Sequence, residues 1–286
     1  MIYGITGNKN KENIAPVLDL IISHLLELKV EFYIEEPLKE HINLNKFRSR
    51  IATLNKIIEK CNILLSLGGD GTFLNTARLI GNSNIPILGV NLGALGFMAE
   101  VGPKEINNFI SNIEKGKYKI IDFCVISAEL ENGQFLYGIN EIVIDKSNSI
   151  RVIEVEISYN NENVVNFLGD GIIISTPTGS TGYSLSAGGP IICPYSNVLL
   201  ITPICPHTLN FRPIVVPDDG HILIKVISKD KIRITADGHT TYIFDQKTTV
   251  KINRANYTIK VIKRVNKTYF QTLNNKLLWG EDIRKK

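Results

Sequence analysis

The chain has 286 residues and is 44 % hydrophobic, enough to bury one large core or two smaller ones. Its net charge of +4 is scattered, the basic run being Arg284-Lys285-Lys286 at the end, so nucleic acid is not the expected partner. Cys61, Cys124, Cys193 and Cys205 lie far apart without a C-x-x-C pair, no stretch approaches the roughly 20 apolar residues of a membrane span, and Met1 to Gly7 carry no leader pattern; a cytoplasmic chain away from membranes is expected.

From the N-terminus, Ile2 to Thr6 reads as a strand, and Ile14, Val17, Leu18, Ile21, Ile22 and Leu25 put an apolar stripe on a helix. Glu31 to Ile34 is a second strand, and a polar helix is expected around Phe47 to Lys60. The run Ile63-Leu64-Leu65-Ser66-Leu67 has the composition of a strand buried on both faces of a parallel sheet. A helix running to about Ile80 follows, then a strand at Ile85 to Val90. A further helix, with Pro103 at its start and Ile106, Phe109, Ile110 and Ile113 on its stripe, ends at Gly116. This alternation predicts a doubly wound parallel α/β domain over residues 1–120.

Past residue 120 the period changes to two. Asn132-Gly133 and Asn160-Asn161-Glu162-Asn163 read as hairpin turns, and Ile153, Val155, Ile157 and Tyr159 alternate with polar neighbours. Runs at Val198 to Ile201, Ile214 to Val216, Ile222 to Ile227, Ile232 to Thr235, Thr249 to Ile252 and Thr258 to Ile262 continue it. An all-β, β-sandwich-like domain is therefore expected over 121–263, with the tail 264–286 packing back on the first domain.

Three segments carry chemistry. Gly68-Gly69-Asp70-Gly71-Thr72 leaves the carboxyl end of a buried strand and opens a helix, where glycines let a phosphate approach the backbone and the helix start offers free N–H groups. A carboxylate beside phosphates is repelled unless it is wanted as a proton acceptor, so Asp70 reads either as a catalytic base or as a plain helix cap. The second segment, Gly169-Asp170-Gly171 through Thr176-Pro177-Thr178-Gly179-Ser180-Thr181-Gly182-Tyr183-Ser184-Leu185-Ser186, ends an isoleucine strand in hydroxyls and glycines suited to ribose and phosphate oxygens, with Tyr183 as an aromatic face for a base. No G-x-S-x-G elbow supports a serine hydrolase there. The third, Gly138-Ile139-Asn140-Glu141, sets an amide and a carboxylate in an apolar strand, which alone reads as a solvated edge. The five histidines make no H-x-x-H or H-E-x-x-H pattern, and no resident metal is expected.

Taken in this order, the three segments resemble the NAD kinases, and the resemblance extends over nearly the whole chain, including Leu95-Gly96-Phe97 and Ile201 to Leu209 with Arg212-Pro213. It implies transfer of the γ-phosphate of ATP to the 2′-hydroxyl of the adenosine ribose of NAD. Asp70 would be the general base beside Gly71, with Gly68, Gly69 and Thr72 in the phosphate loop and Phe97 against the adenine. Asn140 and Glu141 would hold the ribose. Thr181, Gly182, Tyr183, Ser184, Leu185 and Ser186 would surround the adenosine half and Asp170 the nicotinamide half, while Arg151, Cys205 and His239 fall where relatives touch the dinucleotide. Mg²⁺ would arrive on ATP, and a homo-oligomer, such as a tetramer, is implied. Two residues depart from the family pattern: Gly182 stands where many relatives have Ala, and Leu168 where many have Arg, which removes one phosphate-facing charge. Two rivals rank below. A lipid kinase shares the acidic glycine loop, but Asn140-Glu141 and the Thr/Ser/Gly/Tyr loop suit a polar acceptor. A non-catalytic dinucleotide sensor lacks the G-x-G-x-x-G spacing after the first strand.

Overall fold

A computed structural model describes residues 1–93 and 96–277. Leu95 and the basic run at 284–286 lie outside the described residues. The chain divides into two compact units, one made of Met1–Asp122 with the segment from Ile259 onward, the other of Phe123–Thr258.

In chain order, the first unit contains β1 (Ile2–Gly7), α1 (Ile14–Glu27), β2 (Glu31–Glu35), α2 (Leu44–Phe47), β3 (Ile51–Ala52), α3 (Leu54–Lys60), β4 (Ile63–Gly68), α4 (Asp70–Ile80), β5 (Ile87–Asn91) and α5 (Ile106–Glu114). Its strands pair in parallel in the order β5-β4-β1-β2-β3. Every residue of β4 is buried, which is why it reads as an unbroken apolar run. Alternation along the strands sends side chains to two helical layers. Tyr3, Ile5, Leu65, Leu67 and Leu88 join the cluster of α1 and α5. On the other face, Ser66 Oγ is 2.8 Å from Thr76 Oγ1 of α4, and a Cβ on Gly4 would collide with Ile57 of α3. The sheet is therefore covered on both sides, as in a doubly wound fold.

One element differs from expectation. The helix expected over 47–60 is broken into α2, a 3-10 turn at Arg48–Arg50, β3 and α3. Ile51 and Ala52 pair with Ile34 and Glu35, so satisfying the open edge of β2 outweighs the helical pattern.

The chain passes into the second unit along β6 (Lys119–Leu130). There follow β7 (Phe135–Gly138), β8 (Glu141–Asp145), β9 (Ile153–Tyr159), β10 (Glu162–Gly169), β11 (Gly171–Ser175), α6 (Tyr183–Ser186), β12 (Val198–Ile204), β13 (Ile214–Pro217), β14 (Ile222–Ala236) and β15 (Thr240–Lys263), with α7 (Tyr269–Leu277) after the chain has returned to the first unit. Pairing within the second unit is antiparallel. The separate runs read along 222–235 and 249–262 belong to two long strands. β14 pairs with β9 through Ile222–Ile227, shifts register before Lys231, and pairs with β8 through Arg233–Ala236. A register shift of this kind bends the strand, and β14 thereby serves two partners along its length. Inward residues of these strands, among them Ile142, Ile144, Val155, Ile157, Ile172 and Ile174, form one cluster. At the hairpin between β9 and β10, Asn160 and Asn161 take φ of 50° and 68°, the left-handed turn their composition signals.

Because Leu65 is fully buried at the centre of β4, Leu65→Ala is expected to lower unfolding stability by about 2–5 kcal/mol in a denaturant titration.

Candidate active site

β4 ends at Gly68, Gly69 is extended (φ −105°, ψ −168°), and Asp70 is the first residue of α4. The carboxylate does not cap its own helix. Oδ2 accepts the Phe97 N–H at 2.7 Å, and Oδ1 accepts those of Met98 at 3.1 Å and Ala99 at 3.2 Å. An oxygen of a carboxylate accepts about two hydrogen bonds, so Oδ1 is filled and Oδ2 keeps one lone pair open. Gly96 is buried against this group, and a Cβ there would overlap the carboxylate. Gly69 and Gly71, by contrast, have open space where a side chain would stand, which leaves the backbone of the turn approachable. Thr72 folds back over Gly68. Phe97 is half-buried, with the Lys276 ammonium 5.0 Å from its ring centroid.

Behind this segment lies a buried ion pair. Lys263 Nζ is 3.1 Å from Glu100 Oε2 and also donates to the carbonyls of Phe97 (3.2 Å) and Met98 (3.3 Å). Burial pulls the Lys263 ammonium below its usual pKa, a shift opposed chiefly by the Glu100 carboxylate.

In the second unit, Asn140 and Glu141 stand at the entry to β8. Asp237, in the left-handed turn between β14 and β15 (φ 49°), accepts the N–H groups of Ile139 (2.8 Å), Asn140 (2.7 Å) and Glu141 (3.0 Å). From the other side, Thr176 Oγ1 donates to Ile139 O at 2.6 Å, Thr176 N–H donates to Asn140 O at 2.9 Å, and a Cβ on Gly179 would overlap that same carbonyl. The pair is therefore fixed by its backbone. At the side-chain tips, Asn140 Oδ1 and Glu141 Oε2 are buried acceptors without a partner. Such atoms are costly unless something donates to them. Burial, and then the Asp237 charge, push the Glu141 carboxyl up to about 7. Burial likewise raises Asp237, against the pull of its three amides.

Gly182 belongs to this cluster, since a Cβ there would lie 3.1 Å from Glu141 Oε2 and 3.6 Å from Asn140 Nδ2. Thr181 ends the 3-10 turn before it, and Tyr183 begins α6. Burial raises the Tyr183 phenol, followed by the charges of Asp145 and Cys205, with Asp170 adding a smaller push, which puts these groups in one neighbourhood. Asp170 is bound by Lys146 at 2.8 Å, and Asp145 by Arg233 at 2.8 Å. Cys205 follows β12 at φ 43° and is exposed. Ser184 points inward to Thr202 Oγ1 at 2.8 Å, whereas Leu185 is half-buried and Ser186 exposed. His239, exposed, closes the Asp237 turn through its N–H to Ala236 O. Arg151 is exposed and lines a cavity with Lys229, Asp230, Lys231, Asp245 and Gln246, while the carbonyl of Ile150 before it accepts from Lys146 Nζ at 3.5 Å. Among the described residues no group of three or more His, Cys, Asp or Glu is placed to hold a metal ion, and no helix is long and apolar enough to cross a membrane.

Sequence reasoning did not single out Asp237, Lys263, Glu100, Lys146 or Arg233. Asp237-Gly238 is a hairpin dipeptide between alternating strands and was a usable signal for the turn. No local pattern marks the other four.

Comparison with known proteins bears on these arrangements. The ATP-NAD kinase N-terminal domain model matches residues 3–118 and the C-terminal domain model residues 139–264. An NAD kinase of Bacteroides fragilis is 38 % identical, covering 99 % of this chain and 100 % of that one. An NAD kinase of Caldanaerobacter subterraneus subsp. tengcongensis is also 38 % identical, with 96 % and 98 % covered. Among solved structures, yeast NADH kinase complexed with NADH superposes with a TM-score of 0.90 at 25 % identity, covering 100 % of this chain and 90 % of that one. An NAD kinase from Archaeoglobus fulgidus in complex with ATP shares the fold, with a TM-score of 0.76 at 23 % identity and 97 % and 99 % covered. A parallel α/β domain that ends a buried strand on an acid-bearing glycine turn, followed by an antiparallel β domain, is here the architecture of a phosphotransferase. The chain belongs to the ATP-NAD kinase family.

Two outcomes follow from the geometry. Gly96→Ala displaces the Asp70 carboxylate and is expected to lower kcat about 100-fold, read in a steady-state assay of the folded variant. For Glu141, a folded pKa near 7 lies above the ordinary carboxylate value, so its stabilising contribution is present below about pH 4.5 and is lost as pH rises through about 7. Glu141→Gln removes this loss, and its melting temperature relative to the parent is expected to rise between about pH 5 and pH 8.

Proposed function

We propose that the chain transfers the γ-phosphate of ATP to the 2′-hydroxyl of the adenosine ribose of NAD, giving NADP and ADP, with Asp70 as acceptor of the hydroxyl proton. The observation that carries this reading is the open lone pair of Asp70 Oδ2, on a carboxylate otherwise fixed by three amides at the mouth of a glycine turn. The first N–H groups of α4 have no acceptor within the helix, and they suit phosphate oxygens. As the ribose oxygen bonds to the γ-phosphorus, the bond to the ADP bridging oxygen breaks and the proton passes to Asp70. Phosphoryl transfer through a loose transition state asks mainly for such positioning.

Asn140 Oδ1 and Glu141 Oε2 suit hydroxyl donors of the ribose, which would supply the hydrogen bonds these buried atoms lack. Phe97 is assigned to the adenine, Thr181, Gly182, Tyr183 and Ser186 to the adenosine half, and Asp170 to the nicotinamide half. Mg²⁺ enters as part of the ATP substrate, bound mostly by phosphate oxygens and water. All four cysteines are free thiols, which suits a reducing cytoplasm. A homo-oligomeric state, tetrameric by the same resemblance, completes the reading.

Purified chain with ATP, Mg²⁺ and NAD is expected to yield NADP, read with an NADP-specific dehydrogenase. Asp70→Asn should lower kcat by at least about 100-fold while NAD binding stays within about threefold. Turnover surviving in that variant removes Asp70 from the role of base, and NAD binding without NADP formation by the parent would make the chain a sensor.

A further inference from the structure

The Lys263 ammonium has three N–H donors and three partners: Glu100 Oε2, Phe97 O and Met98 O. Two of them belong to the same peptide units that hold Asp70. Across the Phe97-Met98 peptide, the carbonyl accepts from Lys263 at 3.2 Å while the N–H donates to Asp70 Oδ1 at 3.1 Å. Across the Met98-Ala99 peptide, the corresponding distances are 3.3 and 3.2 Å. A cation, two peptide dipoles and an anion are thus in series, twice over, and both series end on the same carboxylate oxygen.

From this arrangement we infer that Lys263 is a positioning residue for Asp70, acting through the two peptide units between them. The inference rests on the reading of Asp70 as base. A hydrogen bond at one end of a peptide polarises it and strengthens the bond at the other, by about 10–30 % per bond, so the ammonium tightens both amides on Oδ1. With Oδ1 filled, the hydroxyl proton has only Oδ2 to go to. The two protons not used on Glu100 go to the carbonyls of the same two peptides whose N–H groups hold Asp70 Oδ1. The side chain is 13 % exposed and Glu100 4 %, so little water competes for these bonds. The charged groups facing Lys263 are Glu100, Asp70 and Lys267, and Glu100 makes the largest opposing contribution to the downward shift that burial imposes on the ammonium.

The test compares Lys263→Met, Lys263→Gln and Lys263→Arg with the parent and with Asp70→Asn, in kcat, in KM for NAD and ATP, and in melting temperature. Misplacing a reacting group by about 1 Å can cost about 100-fold, and a fall of about 10- to 100-fold is expected in kcat for the Met and Gln variants. Both KM values should stay within about threefold, with Arg recovering part of kcat because it keeps the charge. The Gln variant keeps an uncharged NH₂ that can donate to the carbonyls and serves if the Met variant does not fold. Unchanged kcat with a lowered melting temperature, or kcat and both KM values changing together, would reduce Lys263 to a structural ion pair. If Asp70→Asn is inactive while the Lys263 variants turn over normally, only this inference fails. If Asp70→Asn turns over normally, the assignment of the base fails first.

Discussion

A stretch of chain that is neither helix nor strand still has to place its N–H groups on acceptors when it runs beneath the surface. Phe97, Met98 and Ala99 place theirs on Asp70, and much of the first unit is arranged around that fact. The strand β4, buried on both faces, delivers the acid to a fixed point. Gly96 has no side chain because the carboxylate occupies the space. Lys263 and Glu100, distant in sequence, close over the far side of the same peptides. An acid held this firmly does not reorganise when a hydroxyl approaches, the condition that makes a fixed group effective in phosphoryl transfer.

The second unit repeats the device. Asp237 takes three consecutive amides, those of Ile139, Asn140 and Glu141, from a turn far along the chain. Here the anchored side chains are themselves the chemically interesting groups. Their backbones are satisfied and their tips are not, so Asn140 Oδ1 and Glu141 Oε2 stay buried without donors and the Glu141 carboxyl is pushed towards neutrality. Stability is given up locally for a preformed set of acceptors, the usual sign of a place where a ligand completes the structure.

Leu168 removes an arginine that the family resemblance leads one to expect. The structure shows where positive charge remains in that part of the second unit: Lys146 binds Asp170, and Arg233 binds Asp145, both beside Tyr183. At Gly182 a methyl group would lie 3.1 Å from Glu141 Oε2, tighter than ordinary van der Waals contact, so the Glu141 side chain fits here with glycine as it stands.

What the amino-acid sequence determined by itself is what neighbouring residues determine. The stripe of α1, the apolar run of β4, the Asn160-Asn161 turn and the acid-bearing glycine turn are all local patterns, and each stands in the structure where the pattern puts it. The helix expected over 47–60 failed because the edge of β2 claimed Ile51 and Ala52, and the separate runs in 222–262 joined because a strand can change partners without ending. Only the tertiary structure decided which acceptor each amide would find. Asp70 meets residues 97–99, Asp237 meets 139–141, and Lys263 reaches back to 97, 98 and 100. Side-chain to backbone bonds over such separations leave no periodicity in the sequence, because their geometry exists only once the strands between them have paired.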